Sequence, residues 1–148
     1  MKKYIREVKI SLQKSKTDIE QFKINSSRDS AEFFIKQFGE TIDVFESVKV
    51  IFLDNSLKSL GWMQVSQGGL NQSIVDLRLI FASALNCLAT SFIICHNHPS
   101  GNKNASAEDI KITEQLKEAG KLLNIRVIDH IIIFPDHSYY SFADDAQI

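Results

Sequence analysis

The chain of 148 residues has only two cysteines, Cys87 and Cys95, together with two prolines and a single tryptophan. With no Cys-x-x-Cys pair, a closed structural zinc site is disfavoured, because such sites usually take four ligands that are mostly thiolates. Two thiols in a chain that nothing staples suit a reducing cytosol. No run approaches eighteen apolar residues, and the start is polar and charged rather than a charged tip followed by an apolar stretch. The sequence therefore carries neither a membrane span nor a targeting segment, and a cytoplasmic location is expected. Charge of one sign is lacking as well: seventeen Lys and Arg against eighteen Asp and Glu leave a formal net charge of −1. Such a balance has no electrostatic footprint for nucleic acid, which shows as a basic patch or a high pI. The local exception is Lys2, Lys3, Arg6, Lys9, Lys14, Lys16 and Lys23, which outnumber Glu7, Asp18 and Glu20. This set reads first as solvated, edge-protecting lysines, with a phosphate-touching arm as the alternative.

What is present is a composition of 44% hydrophobic and 24% charged residues, enough for one domain with a single core. There is no internal repeat and no low-complexity segment. Tyr4 to Leu12 alternates weakly as a strand, and Ser30 to Phe38 reads as a short helix through Ala31, Phe34, Ile35 and Phe38. Strands are expected at Val48 to Leu53 and Ser59 to Val65, with the turn Asp54-Asn55-Ser56 between them. Gly68-Gly69 breaks the chain before a helix from about Val75 to Ala89, with Leu77, Phe81, Ala84, Leu85 and Leu88 as its apolar stripe. Cys87 falls on that helix. A buried-type strand follows at Ser91 to Cys95, then a helix from Ser106 to about Leu123 with Ile112, Leu116, Ala119 and Leu123 on one face. Arg126 to Phe134 and Ser138 to Phe142 read as the last strands, joined by Pro135-Asp136-His137. The expected fold class is α/β, a curved mixed sheet flanked by helices.

Chemistry concentrates in His96-Asn97-His98-Pro99-Ser100-Gly101, followed by Ser106 and Asp109. His96 and His98 lie where a strand ends and, two apart, point to one face. Asp109 lies in the first turn of the next helix and reaches the same point. Two neutral histidines and a carboxylate, with a position left for water, form the donor set of a catalytic zinc site. Plainer explanations stand beside this one. Ser106 with Asp109 also matches the Ser-x-x-acid pattern of a helix start, and a lone His-x-His is often a polar strand end. The conjunction favours the metal, with Pro99 and Gly101 supplying a stiff turn and a flexible joint. Cys95 adjoins His96 but should face the opposite side of its strand.

The pattern His96, His98, Ser106, Asp109 resembles the signature of JAMM (MPN-plus) metalloproteases. The form His-Asn-His-Pro-Ser-Gly, with Glu118-Ala-Gly-Lys-Leu-Leu and Asp129-His130-Ile-Ile-Ile downstream, is similar to the RadC-like branch, long labelled a DNA repair family. The similarity runs from about Glu46 to Phe142. It implies a cytidine-deaminase-like MPN fold, and one RadC-like domain over residues 1–148, with 1–40 as an N-terminal extension and about 46–142 as the motif-bearing core. It also implies one Zn2+ per chain on His96, His98 and Asp109. In the implied mechanism Glu46, at the head of Phe45-Glu46-Ser47-Val48-Lys49-Val50-Ile51-Phe52-Leu53-Asp54, is the general base that activates a zinc-bound water toward an amide carbonyl. Ser106 helps stabilise the oxyanion. Alternation alone does not separate Glu46 from Asp43, and Asp54 stays open, although it suits a turn. Two departures from the pattern are Ala105, where relatives commonly carry proline, and the lack of a Gly-rich helix-hairpin-helix within the first forty residues. The second weakens the transfer of a DNA-binding role.

The expected function is therefore that of a zinc-dependent peptidase or isopeptidase acting on a peptide or protein. A DNA-repair-associated accessory or scaffold protein is the alternative. Non-haem iron chemistry is a third reading, disfavoured because its carboxylate generally follows the first histidine by two residues, where this chain has His98. His130 reads as a hydrogen-bonded core histidine, or as a group supporting the ligands. His137 reads as exposed and uninvolved. Specificity is expected in loops 67–72 and 102–105.

Overall fold

The computed structural model describes residues 19–68 and 75–148. Five strands form one mixed sheet in the order β2-β1-β3-β4-β5, with β1 Ser47–Leu53, β2 Ser59–Gln67, β3 Ser91–Asn97, β4 Arg126–Ile133 and β5 Tyr139–Ser141. Among the described residues three α-helices accompany it: α1 Ser27–Phe38, α2 Leu77–Asn86 and α3 Ala107–Leu123. β1 pairs antiparallel with both β2 and β3, β3 pairs parallel with β4, and β4 pairs antiparallel with β5. The chain is thus α/β, as expected.

β3 is central and every residue of it is buried. Its side chains alternate between two cores, which explains why Ser91-Phe-Ile-Ile-Cys reads as an unbroken apolar run. Phe92 and Ile94 join Val48, Val50 and Phe52 of β1 under α2 and α3. Ile93 and Cys95 join Ile51, Leu53, Ile131 and Ile133 under Phe33, Phe34 and Phe38 of α1. The sheet is therefore covered on both faces, and α1 is part of the second core.

The element boundaries follow their caps. α1 begins three residues earlier than the apolar pattern suggests, because Ser26 caps it and Asp29 closes a capping box. β3 runs two residues beyond Cys95, carrying His96 and Asn97 in register with Ile132 and Ile133. α2 is shorter than Val75 to Ala89: Asp76 caps its start, and Leu88 turns left-handed at φ +56° to end it. The stripe expected there is also rotated. Ile80, Phe81 and Ala84 are the buried residues of α2, whereas Leu85 and Leu88 are 48% and 73% exposed. On α3, Ile112 and Leu116 are buried as expected, but Thr113 and Gly120 share that face and Leu123 is exposed. Early termination of α2 and the approach of β4 to α3 decide these positions, and neither is written in the 3.6-residue period. The expected strand at Tyr4 to Leu12, most of the basic N-terminal set and most of loop 67–72 fall outside the described residues. Among those described, no helix is long and apolar enough to cross a membrane.

Candidate metal centre

The end of β3 and the start of α3 meet at one point. His96 is the penultimate residue of β3 and faces the same side as Ile94. His98 N–H donates to Ile133 O at 2.9 Å, which keeps the chain in register past the strand end and brings the second imidazole to the same side. The chain then turns at Pro99-Ser100-Gly101, where Gly101 N–H donates to His98 O and Gly101 sits at φ +77°, a conformation that favours glycine. Lys103 pins this loop to the β4–β5 turn through Asp136 at 2.5 Å, through Ser138, and by lying 4.4 Å from the Phe134 ring centre. Ser106 caps α3 and sets Asp109 in its first turn.

His96 Nε2 lies 3.0 Å from His98 Nε2 and 3.1 Å from Asp109 Oδ1, and His98 Nε2 lies 3.5 Å from Asp109 Oδ2. A tetrahedral ion with ligands at about 2.0–2.1 Å requires ligand atoms about 3.3 Å apart. The side chains already hold that spacing, so the donor set fits a divalent ion such as zinc. Among the described residues, this is the group of His, Cys, Asp and Glu side chains able to hold one. Burial works to raise the Asp109 carboxyl, yet the adjoining His96 and His98 imidazoles override it and hold the group far below the usual carboxylate range. Burial likewise works to lower His98, but its hydrogen bonds to Asp109 and to the Asn102 carbonyl leave the imidazole raised.

His96, His98 and Asp109 line a cleft of about 610 Å³ whose lining also includes Val48, Val75, Ile94 and Ile112 and the acids Glu46 and Glu108. Glu46 is half-buried immediately before β1 and borders this cleft. The two other acids left open by alternation lie elsewhere. Asp43 is exposed, and Asp54 accepts from Ser56 and Lys58 N–H at 2.7 and 3.0 Å within the β1–β2 turn. Ser106 borders the cleft and is the cap as well: its Oγ accepts from Asp109 N–H at 3.1 Å and donates to Asp109 Oδ2 at 2.7 Å. Cys95 faces the opposite core, where burial pushes its thiol up. His137 is exposed in its turn.

Three supporting groups were not singled out by their sequence positions. Asn97, between the two histidines, points to the face away from the cleft. There its Nδ2 donates to Ile42 O at 2.7 Å and Phe45 O at 3.0 Å, while its Oδ1 accepts from Ser47 N–H at 2.9 Å. It thereby grips the backbone on both sides of Glu46. The signal available was an amide in a strand buried on both faces, where it must find partners. Thr113 and the Asn102 carbonyl are the other two. Thr113 Oγ1 lies 2.6 Å from His130 Nδ1 and 2.6 Å from Asp109 O; His130 Nε2 lies 2.9 Å from His96 Nδ1; and His98 Nδ1 lies 2.8 Å from Asn102 O. His130 is wholly buried, which pushes its imidazole well below its ordinary value.

Residues 24–147 match the RadC-like JAB domain. The chain belongs to the RadC-like JAB domain family. Glu46, His96, His98, Ser106, Asp109 and His130 all lie within the match. The RadC-like chain is 43% identical over 123 residues to a UPF0758 protein of Flavobacterium johnsoniae, covering 83% of this chain and 52% of that protein. It is 48% identical over 95 residues to a UPF0758 protein of Pelobacter propionicus, covering 64% and 41%. A third, from Clostridium perfringens, is 39% identical over 117 residues, covering 79% and 51%. The chain thus spans about half the length of the curated relatives it matches. RadC-like membership places it within the JAMM superfamily, whose JAB domains are typically hydrolytic.

Proposed function

We propose that this RadC-like domain is a zinc-dependent metallohydrolase, a peptidase or isopeptidase that cleaves an amide bond in the cleft between the end of β3 and the start of α3. The observation that carries this reading is the spacing of His96 Nε2, His98 Nε2 and Asp109 Oδ1 at the separation of tetrahedral ligands, with an acid in the same cleft. One zinc ion per chain, held by these three side chains, would supply a water of pKa near about 7 and a Lewis acid for the carbonyl. Glu46 removes the proton of the attacking water and returns it to the departing nitrogen. Its half-buried position lets it reach substrate without being cut off from solvent. The Ser106 hydroxyl orients the Asp109 carboxylate and turns to donate to the developing oxyanion. The apolar wall of Val48, Ile94 and Ile112 limits competing water.

The substrate class in this proposal is a peptide or protein amide. Three carboxylates, Glu46, Glu108 and Asp109, border the cleft, and its described lining includes no lysine or arginine, which disfavours a polyanion. A DNA-associated scaffold has no need of a full donor set, and degenerate scaffolds usually lose ligands. The buried, unpaired thiols of Cys87 and Cys95 suit the reducing cytoplasm that the proposal assumes.

The test is elemental analysis and peptide hydrolysis on protein purified without chelators. His96→Ala and Asp109→Ala should lose the zinc of the parent. Glu46→Gln should keep zinc and lose hydrolysis by about 10²–10⁴-fold. Undiminished hydrolysis by Glu46→Gln rejects the mechanism, and a parent that takes up no zinc rejects the metal centre in favour of the scaffold.

A further inference from the structure

His130 is a buried imidazole without solvent access, stacked on Phe142 at 4.8 Å between ring centres, and the reaction as outlined does not use it. Its position in a chain of hydrogen bonds assigns it a task. A backbone carbonyl can only accept, so the 2.6 Å contact between Thr113 Oγ1 and Asp109 O directs the Thr113 proton to that carbonyl. The 2.6 Å contact between Thr113 Oγ1 and His130 Nδ1 then requires His130 to donate from Nδ1. His130 is packed against Phe142 with no carboxylate on either ring nitrogen, so the Nδ1 proton is its one ring proton; its Nε2 lone pair faces His96 Nδ1 at 2.9 Å, and His96 donates from Nδ1. His96 Nε2 is the nitrogen left bare, and it is the atom beside His98 and Asp109. The other histidine is set the same way in one step, since His98 Nδ1 at 2.8 Å from Asn102 O must donate to it.

We propose that Thr113 and His130 are positioning residues that fix His96 as its Nδ1–H tautomer and so present a bare Nε2 to the metal. The relay starts at the backbone of Asp109, so it ties the third ligand's helix to the first ligand's ring. The helical spacing from Asp109 to Thr113 is what allows this, because residues four apart stack on one face. Acceptance by a neutral imidazole, where ligand histidines commonly donate to a carboxylate or carbonyl, adds no negative charge beside the ion. The inference deepens the proposed metal centre and rests on it for its consequence, while the tautomers themselves exist without metal.

The experiment is a long-range proton–nitrogen NMR correlation of the histidine rings in the 15N-labelled full chain, metal-free at about pH 8, above the ordinary imidazole range. Zinc affinity is then measured by competition with a chromophoric chelator. The expected parent spectrum has pyrrole-like Nδ1 and pyridine-like Nε2 in His96 and His130. Thr113→Val should mix the tautomers of His130 and His96, leave His98 unchanged, and weaken zinc binding by about 10–100-fold. Thr113→Ser should restore both readings. His130→Phe, which keeps the stack on Phe142, should mix His96 in the same way, and Thr113→Val covers the case in which that variant does not fold. A folded Thr113→Val chain with unchanged His96 tautomer and zinc affinity overturns the relay and leaves the metal centre standing. A parent with the expected tautomers but no zinc uptake supports the relay and overturns the metal centre.

Discussion

Asn97 sits between His96 and His98 and performs a different task, because alternation along β3 turns it to the opposite face. Its amide spans the backbone of Ile42, Phe45 and Ser47, so the strand that bears His96 also holds the acid Glu46 in place. Asn97→Ala leaves buried carbonyls without a donor and should lower stability by about 2–4 kcal/mol in urea unfolding. Zinc content should be retained, since neither histidine depends on the amide; zinc loss as complete as in His96→Ala contradicts this assignment. A second residue-level expectation concerns pH in the metal-free protein. His98 is raised above its unfolded value, so its stabilisation is fully present below about 6.5 and is lost as pH rises through the folded value. Asp109 is lowered, so its stabilisation is present above about 3.9 and is lost as pH falls toward the folded value. The stability gap between the metal-free parent and Asp109→Asn should therefore be widest between about pH 4 and 6.5 and narrow on either side. Urea midpoints across that range give the measurement, and a gap independent of pH would reject the coupling.

At the scale of elements, α3 has to begin and end in fixed places for Asp109 to meet β3. Its start is fixed by the Ser106–Asp109 capping box, which here also turns the Asp109 carboxylate toward His96 and His98. Its end is fixed by Asn124 in the left-handed conformation and by the approach of β4: a Cβ on Gly120 would lie 2.3 Å from Ile125 O. Gly120→Ala therefore has to push α3 away from β4 and should destabilise by about 1–3 kcal/mol, although alanine favours helix elsewhere. Thermal unfolding reads this directly, and a stabilised variant would mean the contact relaxes freely. The capping box is visible in the sequence. The close approach at Gly120 is not, because it depends on where β4 lies.

For the whole molecule, a metal would join the end of a central strand to the start of a helix packed over it, so binding should be felt globally. Zinc that binds the folded chain and not the unfolded one stabilises by about 2.7 kcal/mol at a free concentration one hundred times Kd. For a chain of this size that is a rise in Tm of about 5–10 °C, removed by a chelator. Calorimetry with and without zinc checks this, and His96→Ala should show no shift. The two-sided burial of β1 and β3 makes such coupling plausible in mechanical terms, since neither strand shifts without disturbing both cores.

Much of this was local and hence legible in the chain. Strand alternation put His96 and His98 on one side and Cys95 on the other, Ser106 and Asp109 announced a helix start, and the apolar runs marked β1, β3 and β4. These depend on periodicity and capping, which act over a few residues. What the tertiary structure decided was each matter of meeting at long range. It brought Glu46, rather than Asp43 or Asp54, to the cleft, rotated the buried face of α2 away from Leu85 and Leu88, set Asn97 behind Glu46, and aligned Thr113, His130 and His96. Such contacts join residues 17 to 55 positions apart. Their energy comes from burial and from hydrogen bonds completed only when the sheet and its helices are assembled, so no short-range pattern encodes them.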